Sequence, residues 1–340
     1  MKQYSYNHPT SFPLESGEAL PTLEIIYHCS VAPDMIPEAI ASGARVVWIC
    51  HALTANSDPS EWWAELVGAG KCFDTERDIV ICANTIGSCY GSTGPANWGG
   101  KPLDFPSFSV RDIVAGHITL RQYLSIEKID LLIGASVGGY QSLEWGSVES
   151  HLIDHLILIA CNERITPWQT AFNESQRMAI EADRDFMERQ LPDAGVLGLR
   201  AARTMALISY RSYEGYNIKQ GEVDEDCYRA TRAASYQRHQ GKKLSDRFNP
   251  YAYYCMTFML DTHNIGRGRG GIDKVLSSIK SKTLLLAIDS DILFPPAELQ
   301  SLSVRIPGAK YTSVSSAFGH DGFLIEHEAL EKEINSFLAD

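Results

Sequence analysis

Eight cysteines in 340 residues are too few for a disulfide scaffold, and no two of them stand in a C-x-x-C pair. Zinc-ribbon and thioredoxin-like readings are thereby excluded. Cys50 closes the apolar run VVWIC and Cys82 the run IVIC, the surroundings of buried, reduced thiols. Basic residues are also scarce: 30 Lys and Arg face 42 Asp and Glu, for a net charge of −12. A nucleic-acid binder advertises a basic face, so that class is set aside. An anionic ligand would have to be held by particular Arg, Lys or backbone N–H groups, because the global field repels it. No apolar run reaches the roughly 18 residues of a membrane span. The opening MKQYSYNHPTSFPLESGE has no apolar core and no cleavage signature, so a cytoplasmic location is expected. His151 and His155 have i, i+4 spacing but no HExxH pattern and no third ligand, so no metal is expected.

The composition itself, 44% hydrophobic and 21% charged, is that of a globular chain, without repeats or low-complexity stretches. The length suits two domains, or one large domain carrying an insertion. Strand-like apolar runs occupy 23–28, 45–50, 79–83, 129–134, 156–160, 283–288 and 310–314. Several are continuous rather than alternating, as strands buried on both faces are. Helical spacing over 110–124 and a helix opening at 138–145 lie between them. The alternation predicts a mainly parallel α/β sheet. It breaks at 162–274, where charged helical patterns replace strands, ending in GRGRGG at 266–271. The expected plan is a core of 1–161 and 275–340 interrupted by a helical lid of 162–274. An insertion at the carboxyl end of a strand falls where such sheets bind ligands.

The segment KIDLLIGASVGGYQSLEW contains Gly134-Ala135-Ser136-Val137-Gly138, a G-x-S-x-G between an apolar strand and a helix. In that context the motif is a sharp turn that lifts the Ser136 hydroxyl from the sheet, at a helix N-terminus whose N–H groups can hold an oxyanion. A nucleophilic serine needs a base and a carboxylate to orient it. Downstream, LLLAIDSDILFPP places Asp289 and Asp291 after an apolar strand, and SSAFGHDGFL places His320 in a Gly-bounded loop after the last one. Asp291 is the favoured orienter and Asp289 the competitor, read as a loop or capping carboxylate. His117 reads as structural, and His263 as a residue that could approach the site.

These motifs together resemble the homoserine O-acetyltransferases of the α/β-hydrolase superfamily. The resemblance lies in HALTANSD (51–58), ICANTIGSCYGSTGP (81–95), DFPSFSVRDIV (104–114), GASVGGYQSLEW (134–145), AFNESQRMAI (171–180), the Arg- and Phe-containing stretch 235–271, SDILFPP (290–296) and FGHDGFL (318–324), and so covers nearly the whole chain. It implies an α/β-hydrolase fold and a catalytic triad of Ser136, Asp291 and His320. The Leu53 and Val137 N–H groups would form the oxyanion hole, Arg203 would hold the amino-acid carboxylate and Asp321 its ammonium. It further implies acetyl-CoA as co-substrate, no tightly bound cofactor or metal, L-homoserine as acceptor, a ping-pong acyl-serine mechanism in methionine biosynthesis, and a homodimer joined through lid helices. Ala135 and Val137 depart from the glycine and methionine many members carry beside the nucleophile. They border the acyl pocket, leave the triad intact and leave the acyl group open; the alternatives are succinyl transfer or serine as acceptor on the same scaffold, and an ester or thioester hydrolase with the same triad and water as acceptor.

Overall fold

The computed structural model describes residues 1–340 except Asp193 and Glu225. Its centre is an eight-stranded sheet. In chain order the strands are β1 (Lys2–Asn7), β2 (Glu24–Cys29), β3 (Val46–Cys50), β4 (Ile79–Ala83), β5 (Ile129–Ala135), β6 (Ile153–Ile159), β7 (Lys282–Ile288) and β8 (Lys310–Val314). In space they run β1-β2-β4-β3-β5-β6-β7-β8. The first two pairings, β1 with β2 and β2 with β4, are antiparallel, and every later one is parallel. Seven of the eight strands fall on the apolar runs read from the sequence. The exception is β1, whose polar KQYSYN alternates and occupies the edge, where only one neighbour and partial burial are required.

The inner strands β3 and β4 are buried at every residue, which is why their sequences are unbroken apolar runs. Helix α1 (Val110–Tyr123) starts at a capping box in which Ser109 and Asp112 satisfy each other's backbone N–H. Helix α2 (Val137–Val148) follows β5 directly and is buried from Val137 to Gly146. Trp145 on α2 meets Trp48 of β3 edge-on, with ring centroids 4.9 Å apart. A helix enclosed to this extent stays fixed relative to the sheet, and so does whatever stands at its first turn.

Between β6 and β7 the described residues form helices α3 (Pro167–Glu181), α4 (Val196–Tyr210), α5 (Tyr213–Gln220), α6 (Arg232–Ser245) and α7 (Pro250–Asp261), with shorter turns among them. Among the described residues no strand of the sheet comes from this stretch, and an isolated bridge between Arg164 and Asn264 joins its two ends. Arg177 on α3 is buried and ion-paired to Asp261 of α7 at 2.7 Å, with Phe258 under its guanidinium. Side chains also tie the helical layer to the sheet. Arg269 grips the buried Glu144 of α2 through two hydrogen bonds of 2.9 and 2.5 Å, and Trp168 and Gln169 donate to the carbonyls of Ile292 and Leu293.

Candidate active site

The carboxyl ends of the parallel strands bring the reactive residues together. Ser136 follows the last residue of β5, Leu53 lies just past β3, Asp291 just past β7 and His320 in the loop after β8. Ser136 has φ 58° and ψ −122°, a conformation a non-glycine residue adopts only where its surroundings impose it. What imposes it is close packing of the turn. A Cβ on Gly134 would lie 2.1 Å from the Gly138 carbonyl oxygen, and one on Gly138 would lie 2.0 Å from that of Cys50. Both flanking glycines of the G-x-S-x-G are therefore required by contact, and the reward is a hydroxyl held clear of the sheet at the N-terminus of α2.

The Ser136 Oγ lies 2.9 Å from His320 Nε2. His320 Nδ1 lies 2.6 Å from Asp291 Oδ2. The other oxygen of Asp291 accepts the N–H groups of Leu293 and Phe294 at 2.8 and 2.9 Å. This fixes the carboxylate and leaves one oxygen for the imidazole. All three residues are buried, and the rings of Phe294 and Phe323 stack on and abut His320. Asp289 takes the other role foreseen for it: its carboxylate accepts the Ser316 N–H and pins the loop that carries His320. The first N–H of α2, that of Val137, is one of the donors a helix start leaves open. Leu53 borders Ser136 in both adjoining cavities, and its N–H has no acceptor among the described residues.

Two spaces meet at Ser136. The inner one, about 40 Å³, is bounded by Val137, Tyr140, Phe172, Gln176, Leu260 and Phe294, among others, and no charged residue lines it. The outer one, about 400 Å³, is lined by Ser136, His320, Arg203, Asp321, Trp62, Lys243 and Arg247, among others. Arg203, on α4, has no hydrogen-bond or ion-pair partner among the described residues; its guanidinium lies over the Tyr210 ring, 5.4 Å from the centroid. Asp321 is ion-paired, through its Oδ2, with Arg211 just beyond α4. Arg211 also donates to the Tyr236 hydroxyl. Nothing in the sequence pattern sets Arg211 apart, since it is one of many arginines between β6 and β7 and its partner is 110 residues away.

Other buried histidines do not join the site. His263 stacks on Tyr140 at 3.7 Å between centroids, and its Nε2 donates to the Asn162 carbonyl; burial pushes its pKa down to about 3. His51 accepts the Thr85 N–H on Nε2 and donates from Nδ1 to the Ala52 carbonyl; burial pushes it down to about 4. His117 packs against both Trp48 and Trp145 and is pushed down to about 3, burial again being the main cause. Among the described residues no group of three or more His, Cys, Asp or Glu side chains could hold a metal ion, and no helix is long and apolar enough to cross a membrane.

A serine at a strained strand–helix turn, a buried histidine and a buried carboxylate at the carboxyl ends of parallel strands define the serine-dependent enzymes of the alpha/beta hydrolase fold, whose family model matches residues 45–326. The relatives narrow this class. A homoserine O-acetyltransferase of Cyclobacterium marinum is 40% identical over 331 residues, covering 95% of this chain and 92% of its own. One of Nostoc punctiforme is 38% identical, covering 97% and 94%. The chain belongs to the homoserine O-acetyltransferase family. Among solved structures, a homoserine O-acetyltransferase from Staphylococcus aureus superposes with a TM-score of 0.82 at 28% identity, covering 99% of this chain and 95% of that one. Esterase E22 superposes with a TM-score of 0.86 at 21% identity, covering 99% of each, a likeness of fold alone.

Proposed function

We propose that the enzyme transfers an acetyl group from acetyl-CoA to the γ-hydroxyl of L-homoserine, through an acetyl ester on Ser136. The observation that carries this is the free guanidinium of Arg203 and the carboxylate of Asp321 in the cavity that reaches Ser136 and His320. A zwitterionic amino acid is held best by one fixed cation and one fixed anion, and a planar guanidinium suits a carboxylate. Esters of simple alcohols would use neither group.

In the first half-reaction His320 Nε2 takes the Ser136 proton while Oγ attacks the thioester carbonyl. The carbon–sulfur bond then breaks and His320 returns the proton to the departing thiolate. In the second half, His320 takes the proton of the homoserine hydroxyl, whose oxygen attacks the acetyl ester. O-acetylhomoserine leaves as Ser136 regains its proton. Asp291 keeps the imidazole in one tautomer and stabilises its cation. The Leu53 and Val137 N–H groups meet the oxyanion of both tetrahedral intermediates, each worth about 3 kcal/mol. The inner cavity suits a two-carbon acyl group: it is small, and it offers no cation to a succinyl carboxylate. Helices α3, α4 and α7 line the site, and this cover supports a role in keeping water from the acyl-enzyme. The reaction needs no metal or tightly bound cofactor.

We place the enzyme in the cytoplasm, as a homodimer joined through these helices. Leu197, Ile208, Tyr213, Ile218 and Val223 on and near α4 and α5 are all more than half exposed, an apolar surface that a second copy would cover. Sedimentation of wild type against Ile208→Asp with Ile218→Asp tests this, and a wild-type monomer would overturn it.

Thiol release from acetyl-CoA, with and without L-homoserine, tests the activity, with succinyl-CoA and L-serine as parallel arms. Homoserine-dependent release that is lost in Ser136→Ala is the expected result. Release indifferent to every amino acid would mean a hydrolase with the same triad and water as acceptor.

A further inference from the structure

We propose that Lys243 and Arg247, at the outer rim of the catalytic cavity, form the site that holds the phosphate groups of the acyl donor. The inference rests on the reading that the donor is a CoA thioester. Such a donor carries a diphosphate and a ribose phosphate on the far end of its pantetheine arm, so it needs cations at the mouth of a cavity and not beside the nucleophile. The chain as a whole opposes it, with a net charge of −12. A donor of this charge must therefore find local compensation.

The outer cavity provides that compensation at the right end. Ser136 and His320, at its floor, are buried, whereas Lys243 and Arg247, which line the same cavity, are exposed. Phosphates held there would remain hydrated while the thioester reached Ser136. Lys243 lies in the last turn of α6 and Arg247 in the turn just past its end, and both line the same cavity. Lys242, one residue from Lys243, is neutralised by Asp246 at 2.6 Å. Lys243 itself has no ion-pair or hydrogen-bond partner among the described residues. Arg247 is braced and still has donors to spare. Its Nη1 donates to the Thr54 carbonyl at 2.6 Å and to the Tyr90 hydroxyl, while Nε and Nη2 have no partner among the described residues. A guanidinium fixed on one edge and open on the other is suited to a phosphate. Two carboxylates line the cavity against the three cations Arg203, Lys243 and Arg247: Asp321 is already paired with Arg211, and Glu61 stays charged while it accepts a hydrogen bond from Asn56 at 2.7 Å. Trp62, also in the wall, donates its indole N–H to the Asn56 carbonyl and offers an apolar flank to the pantetheine arm.

The test compares acetyl-CoA with acetyl-pantetheine, which has the same thioester and arm without the phosphates. For wild type, Lys243→Glu, Arg247→Gln and the double variant, kcat/KM is measured with each donor at saturating homoserine. The ratio of the two values cancels any general damage to folding or to the neighbouring loop. We expect wild type to favour acetyl-CoA, the ratio to fall about tenfold in each single variant and further in the double, and added salt to lower it in wild type much more than in the double variant. A ratio that stays at its wild-type value in the double variant overturns the assignment. A wild type that accepts acetyl-pantetheine as readily as acetyl-CoA also overturns it, yet leaves acetyl transfer standing. A wild type that turns over neither donor overturns both readings.

Discussion

Replacing Arg203 by glutamine removes a cation of the catalytic cavity that has no ion-pair or hydrogen-bond partner among the described residues. Its energetic consequence divides cleanly between folding and turnover. For folding, the side chain surrenders only its contact with the Tyr210 ring, worth about 0.5–1 kcal/mol, and no protein carboxylate is left unpaired. The denaturation midpoint should therefore hardly move. For turnover, a bidentate pair with the acceptor carboxylate comprises two charge-assisted hydrogen bonds. At the lower end of their range, as befits a half-buried group, these total about 3 kcal/mol. That corresponds to a loss of roughly 150-fold in kcat/KM for homoserine. The first half-reaction, followed as the burst of thiol released from acetyl-CoA before homoserine is added, should retain its rate within a few-fold. Arg203→Lys keeps the charge but not the planar fork and should lie between, about tenfold down. If the burst and the homoserine step fell by the same factor, or if the homoserine dependence were untouched, Arg203 would not be the carboxylate anchor.

Further outcomes follow from other parts of the structure. Asp291→Asn retains an oxygen for the Leu293 and Phe294 N–H groups but presents an amide to His320. We expect kcat to fall about 10⁴-fold with the fold intact, and a normal rate would remove Asp291 from the mechanism. Glu144→Ala leaves Arg269 without its carboxylate beneath the helical layer. Because Arg269 is partly exposed, the cost should be about 2–4 kcal/mol in urea titration, against under 1 kcal/mol for a surface pair such as Lys242–Asp246. Acid stability should be governed by His51, His117 and His263, whose pKa values burial pushes down to about 4, 3 and 3. Below about pH 6.5 the unfolded chain takes up protons that the folded chain refuses, so stability falls as pH drops towards 4. His117→Gln should remove up to about 1.4 kcal/mol per pH unit from that slope, measured as urea midpoints at pH 7 and 5. An unchanged slope would mean that His117 is not held neutral.

Much of this arrangement is legible from the sequence because its physical demands are local. The G-x-S-x-G with its preceding apolar strand can be read because both glycines answer to contacts within one turn and its neighbouring strand. Asp291 and His320 are legible from their order and their position after strands, and Asp291 is preferred to Asp289 because it stands further past the strand, ahead of a Pro-containing loop. Other features escape because nothing local marks them. Strand β1 lies at the edge, where a half-polar sequence suffices. Arg211 gains its meaning from an ion pair with Asp321, and Arg269 from Glu144, both reaching across more than a hundred residues. Lys242 and Lys243 are adjacent and chemically identical, and only the turn of α6 assigns one to an internal pair and the other to the cavity. Leu53 had to be placed by family likeness because a backbone donor leaves no trace in side-chain identity.

The stretch between β6 and β7 leaves one strand and returns to the strand beside it, Ile159 and Leu286 being paired across the ladder. Topologically it is a single crossover, elaborated into a layer of helices. Ser136, Asp291 and His320 all lie outside that stretch, whereas Phe172, Arg203, Lys243 and Arg247 all lie within it. On the proposed reading, the bond-making residues lie in one length of chain and Arg203, Lys243 and Arg247 in another, while Asp321 and the cavity-lining Val137, Tyr140 and Phe294 belong to the first. Descent with modification can rewrite the crossover while the relay beneath remains untouched. A laboratory graft at the same two strand ends would test how far the acceptor preference moves with the crossover while the nucleophile stays in place.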